Sequence, residues 1–126
     1  MMSDEVRPHV LAIDLDGTLL QYDGWKGPEH FGVLIEGMVK VLRQLREKGW
    51  KISIWTTRAA DDALRAHLQR HDVPYDYINE NPHGPTGSPK IFADVYLDDR
   101  ALRFEGSTTG LTERIVASVP WFEERI

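Results

Sequence analysis

Four short strand-like segments, residues 10–14, 51–55, 75–78 and 93–97, alternate with stretches of helical period, and that alternation restricts the fold more than any other feature. Each has the length of one strand, and the continuous apolar character of residues 10–13 suits a strand covered on both faces. Between the first two runs, Ile35, Met38, Leu42 and Leu45 recur at helical spacing, and Gly49 is placed to stop the helix. Residues 61–71 put Leu64 and Leu68 on one helical face with acids in the first turn. Residues 111–119 read as a last helix, ended by Pro120. Strands and helices in this order predict an α/β chain: a central parallel sheet with helices on both faces. Residues 21–31 and 79–89, rich in glycine and proline, read as irregular loops. No repeat or linker divides the chain, so one domain over residues 1–126 is expected, with residues 1–8 a flexible N-terminus.

Composition narrows the function. At 126 residues with 41% apolar and 28% charged side chains, the chain has globular proportions and room for a core. A net charge of −5 gives no support for broad nucleic-acid binding. The absence of cysteine excludes disulfides, thiol catalysis and thiolate zinc sites. No apolar stretch approaches the ~20 residues of a membrane span. The polar, mixed-charge start does not read as a signal peptide, so a soluble cytoplasmic protein is expected.

In a parallel α/β sheet, ligands sit beyond the carboxyl ends of the strands. Asp14 and Asp16 follow the first run, Thr56 and Thr57 the second, and Asp98 and Asp99 the fourth; Lys90 lies just before the fourth. Acids and hydroxyls from three strands thus converge on one edge. Two like charges ~4 Å apart repel by roughly 4 kcal/mol at an effective dielectric of ~20, so the acids need a cation. Oxygen donors suit Mg²⁺. With a phosphate held by the metal, Lys90 and the Thr56 hydroxyl, one carboxylate can attack phosphorus in line. A second can protonate the leaving oxygen and then activate water.

The order Asp14-x-Asp16-Gly17-Thr18, an apolar run closed by Thr56, Lys90, then Asp98-Asp99 resembles the four motifs of the haloacid dehalogenase-like (HAD) phosphohydrolases. The likeness spans roughly residues 9–100. It implies a three-layer α/β/α Rossmann-like fold and a Mg²⁺-dependent phosphomonoester hydrolase working through an aspartyl-phosphate. Carried over, Asp14 is the nucleophile, and Asp16 is the general acid/base whose backbone carbonyl also meets Mg²⁺. Thr56 and Lys90 bind the phosphoryl group. Asp98 ligates Mg²⁺, with Asp99 on or beside the ion. An acid at position 16 favours ester hydrolysis over ATPase-type chemistry. The cap domain common in this family has no room here, since Gly17 to about Ile35 and residues 79–89 are too short to fold one. The chain is similar to the minimal, capless class, with small bacterial and phage HAD proteins the nearer likeness and the phosphatase part of polynucleotide kinases the weaker one. Its expected substrate is a nucleotide, sugar or nucleic-acid terminal phosphate, with nucleic acid a partner only as substrate. A homo-oligomer could supply the lid that the chain lacks.

Several residues admit two readings. The Asp14/Asp16 pair could be a turn of self-bonding aspartates. Thr57 could replace Thr56 as phosphate ligand, and Lys90 could be a surface lysine. Asp99 could pair with Arg58 or Arg100 instead of metal, and Arg58 could bind substrate phosphate or form a structural ion pair. Trp25 could stack on a substrate ring or pack in the loop, while Trp50, Trp55 and Trp121 read as packing residues. His67 and His71, at helical spacing, could bind a metal but read better as a surface helix face, and His83 reads as a candidate substrate contact. The functional alternative is a non-catalytic HAD-like phosphate-binding or regulatory module. A receiver-type phospho-acceptor is disfavoured because no such acid follows residues 75–78.

Overall fold

The computed structural model describes residues 7–119. Its elements, in chain order, are β1 (Val10–Ile13), α1 (Met38–Glu47), β2 (Lys51–Ile54), α2 (Asp62–Arg70), β3 (Tyr77–Ile78), β4 (Val95–Leu97) and α3 (Leu111–Ala117). The four strands form one sheet in the order β3-β2-β1-β4, and every pairing is parallel. This is the α/β fold expected from the alternating pattern, and no cap is present among the described residues.

Local chemistry sets the helix ends. Asp61 accepts the Leu64 N–H at 3.0 Å and so caps α2 one residue before its first turn. At the end of α1, the Trp50 N–H donates to Leu45 O and the Gly49 N–H to Arg46 O. Gly49 stands at φ 87°, and this paired arrangement is a Schellman stop, which the left-handed residue makes possible. The expected stop at Pro120, the packing of Trp121 and most of the expected flexible N-terminus lie outside the described residues.

The strand register decides where the core sits. Leu11 pairs with Ile52 and Ile13 with Ile54, so these four side chains share one face. On that face they pack with Leu42 of α1, Leu64 and Leu68 of α2, and Ile78. The other face carries Ala12, Ser53, Tyr77 and Tyr96 in register. Part of it is tied to the loop before β4: Ser53 Oγ donates to Glu80 O at 2.8 Å, and Tyr96 Oη donates to Ile91 O, with Ile91 itself buried. The third helix, α3, contributes no buried residue.

The two edge strands, β3 and β4, each start two residues later than the segment read from sequence, for a shared reason. Asp76, just before β3, accepts the Ile52 N–H through its side chain at 2.8 Å; Asp94, just before β4, accepts the Val10 N–H at 2.7 Å. Each aspartate replaces a ladder bond at the start of its edge strand, so regular pairing begins one residue later. Among the described residues no helix is long and apolar enough to cross a membrane.

Candidate active site

The strand order reverses at β1: the chain steps outward through β2 and β3, then returns to place β4 on the other side of β1. The crevice beyond the carboxyl ends of β1 and β4 is therefore the favoured ligand position of such a sheet. Asp14 leaves β1 there, its N–H donating to Leu97 O at 3.0 Å, while the Trp55 N–H donates to Ile13 O at 2.8 Å. Both neighbouring strands thus hold the backbone beside Asp14. Asp98 and Asp99 leave β4 directly opposite, and carboxylate oxygens of Asp14, Asp98 and Asp99 all lie within 4.8 Å of one another.

That proximity has an electrostatic signature. The Asp14 carboxyl is pushed up from 3.8 to about 7, first by burial and then by the negative charge of Asp98; a hydrogen bond with Asp99 and its charge add to this, and the Leu15 N–H opposes it. Three oxygen donors with uncompensated charge fit a hard divalent cation such as Mg²⁺. Gly17 permits the close approach. A Cβ there would stand 2.2 Å from Asp99 Oδ2, and the residue's φ of 90° suits glycine alone.

Asp16 is placed differently. Its carboxylate is outside the cluster and faces Arg58, which donates to it from Nε at 2.7 Å and from Nη2 at 3.2 Å. This settles which acid Arg58 pairs with: it is Asp16 and not Asp99. Arg58 also donates to Pro28 O at 3.2 Å and His30 O at 2.8 Å, and its guanidinium lies over the Trp25 and Phe31 rings at 4.8 and 4.6 Å. One arginine thus ties the loop over residues 25–31 to the acid. The base of that loop is firm, since Leu15, Leu19 and Leu20 are fully buried.

Thr56 follows β2. Its Oγ1 accepts the Arg58 N–H at 3.1 Å, which leaves its own O–H free to donate elsewhere. Asn79, which the sequence did not mark, holds this turn at both ends: its Oδ1 accepts the Thr56 N–H at 2.8 Å and its Nδ2 donates to Arg58 O at 3.3 Å. Asn79 sits at φ 56°, a left-handed conformation that asparagine tolerates, just after β3.

These residues surround two adjoining cavities. One, of about 480 Å³, is lined by Asp14, Asp16, Thr56, Thr57 and Asp98 together with Tyr22, Trp25, Trp55 and Arg100. The other, of about 440 Å³, shares Asp14, Trp55 and Asp98 and adds Lys90 and Tyr96. Trp55, read from sequence as packing, forms a wall between the two. Lys90 therefore borders the acid cluster, with its ammonium 5.6 Å from the Tyr96 ring centre. His83 lines neither cavity and tilts against Phe92. A larger hollow, of about 900 Å³, runs between α1 and α2 past Arg43, Arg46 and Arg65. It lies away from the carboxylate cluster, so the smaller pair of cavities is the candidate site.

The chain matches no protein-family model and no curated protein. It is similar in structure to a conserved protein from Bacteroides thetaiotaomicron, with 21% identity, a TM-score of 0.62, and coverage of 91% of this chain and 95% of that one. A crystallised protein from Vibrio cholerae aligns at 22% identity and a TM-score of 0.49, over 88% of this chain and 99% of that one. The Bacteroides likeness shows the fold: an α/β protein of similar size built on a parallel sheet.

Proposed function

We propose that this chain is a Mg²⁺-dependent phosphomonoester hydrolase of the HAD-like, capless type, working through an aspartyl-phosphate. The observation that carries the reading is the Asp14–Asp98–Asp99 cluster at the strand-order reversal, with Thr56 and Lys90 on the walls of the adjoining cavities. Asp14, Asp98 and Asp99 would hold the ion. When bound, it would offset charge on the phosphoryl oxygens and on Asp14.

The chain's own groups account for the rest. An Asp14 oxygen attacks phosphorus, the bond from phosphorus to the leaving oxygen breaks, and Asp16 gives that oxygen a proton. Water then attacks the same phosphorus while Asp16 takes a proton from it; the bond to Asp14 breaks, releasing inorganic phosphate and the free carboxylate. Pairing with Arg58 fixes the orientation of Asp16 without using all of its acceptor positions, since a carboxylate has about four lone-pair sites. The Thr56 hydroxyl and the Lys90 ammonium serve the phosphoryl oxygens.

Purified protein should hydrolyse an aryl phosphate with Mg²⁺ and lose activity in EDTA. Asp14→Asn should abolish turnover with the fold intact, and an active variant would sink the mechanism. In Asp16→Asn, acid-quenched mass spectrometry should find phosphate accumulated on Asp14; normal steady turnover would remove the proton-carrying role. Phosphate binding with no hydrolysis of any ester would transfer the site to the non-catalytic module reading.

A further inference from the structure

Trp25 stands at one end of a run of flat groups. The Arg58 guanidinium lies over its ring at 4.8 Å and over Phe31 at 4.6 Å; Phe31 stacks on His67 at 4.5 Å with 19° between planes; His67 meets His71 at 4.6 Å. The last two members belong to α2 and its C-terminal end, so the run is rooted in the body of the fold. This gives the two histidines a part in supporting the loop. Trp25 is nevertheless 59% exposed, and it lines the same cavity as Asp14, Asp16 and Thr56. An exposed tryptophan held by a buried arginine beside a charged site is poorly explained by packing alone.

We propose that Trp25 is a stacking platform for a planar ring carried by the leaving group, which makes the substrates aryl- or nucleobase-bearing phosphomonoesters. This deepens the phosphomonoesterase reading and rests on it. With the phosphate at Asp14 and Thr56, a ring on the leaving group extends the run by one member, on the Trp25 face that Arg58 does not cover. Tyr22 and Trp55 add further aromatic wall, and a cavity of about 480 Å³ is within the size range of small-ligand sites. Cation–π contact with Arg58 holds the indole in place before the substrate arrives, which limits the ordering cost of binding.

The test compares matched pairs with the same class of leaving oxygen: benzyl against cyclohexylmethyl phosphate, and uridine 5′-monophosphate against ribose 5-phosphate, each with Mg²⁺. The wild-type protein should favour the planar member of at least one pair about tenfold in kcat/KM, within the range that base–aromatic stacking gives. Preference in the first pair alone indicates a simple aryl group, and preference in the second indicates a nucleobase. Trp25→Phe should keep most of that preference, and Trp25→Ala should reduce it below about twofold. No preference in the wild type, or an undiminished one in Trp25→Ala, overturns the proposal. Calorimetry with benzylphosphonate and cyclohexylmethylphosphonate separates this from failure of the catalytic reading. Selective, Trp25-dependent binding without any turnover keeps the platform and sinks the phosphatase, whereas equal or absent binding sinks the platform.

Discussion

The raised carboxyl of Asp14 makes stability depend on pH and metal in a direction opposite to most carboxylates. Between 3.8, its ordinary value, and about 7, the folded metal-free protein holds a proton that the unfolded chain has released. Stability therefore falls as pH rises through that interval and levels off above it. At about 1.4 kcal/mol per pH unit, roughly three units give an upper bound of about 4 kcal/mol. Asp14 is only partly buried, and discounting for solvent screening leaves about 2 kcal/mol, or roughly 8 °C in Tm for a domain this size. His67 works the other way, because burial and the neighbouring positive groups lower its pKa, so its contribution grows as pH rises. The informative quantity is therefore the difference between wild type and Asp14→Asn. Thermal melts in EDTA at pH 5 and pH 7.5 should show the variant gaining relative to wild type at the higher pH. Mg²⁺ should reverse that ordering at pH 7.5 and act weakly at pH 5, since occupancy at 100 times Kd adds about 2.7 kcal/mol. Equal pH slopes in the two proteins would refute the account of the cluster, and a Mg²⁺ response retained in Asp14→Asn would refute its role as a ligand.

Other perturbations probe the parts separately. Gly17→Ala should displace Asp99 and strain a left-handed backbone, lowering stability by about 1–3 kcal/mol in urea melts and weakening the Mg²⁺-induced rise in Tm. Arg58→Ala should cost about 3–5 kcal/mol because it leaves the Asp16 carboxylate unpaired in a mostly buried position, whereas the Asp16→Ala/Arg58→Ala double variant should recover part of that loss; additive losses would show the pair to be uncoupled. Arg58→Lys should not rescue, since a point charge cannot reproduce the two-bond fork. Asn79→Ala should loosen the Thr56–Arg58 turn, costing about 1–3 kcal/mol for the bonds lost and the left-handed strain, and any activity should fall through kcat more than through KM.

The parts of this structure legible in the sequence are those set by short-range rules. Short strand-like segments marked all four strands, Asp61 and Gly49 marked two helix ends, and the residues just past the strands brought Asp14, Asp98 and Asp99 to one edge. Length of pairing was less legible. Asp76 and Asp94 shorten the edge strands by accepting N–H groups 24 and 84 residues away, which no local pattern encodes. The loop over residues 25–31 was equally opaque, because its conformation depends on carbonyls that converge on Arg58. That is why the sequence left Arg58, Trp25 and the two α2 histidines each with two readings, and why Asn79 carried no signal beyond its tolerance of left-handed backbone.

The strand order has a consequence for how the protein is made. Asp14 follows β1, yet the strand that completes the acid cluster is β4, more than eighty residues later. β1, β2 and β3 can pair as soon as they are synthesised, with β1 still an open edge. Until residues 95–99 emerge and dock there, Asp14 has no Asp98 or Asp99 beside it and no cluster to bind an ion. A partly made chain therefore holds Asp14 apart from its partner acids, and the slow, long-range closure of β4 on β1 assembles the cluster.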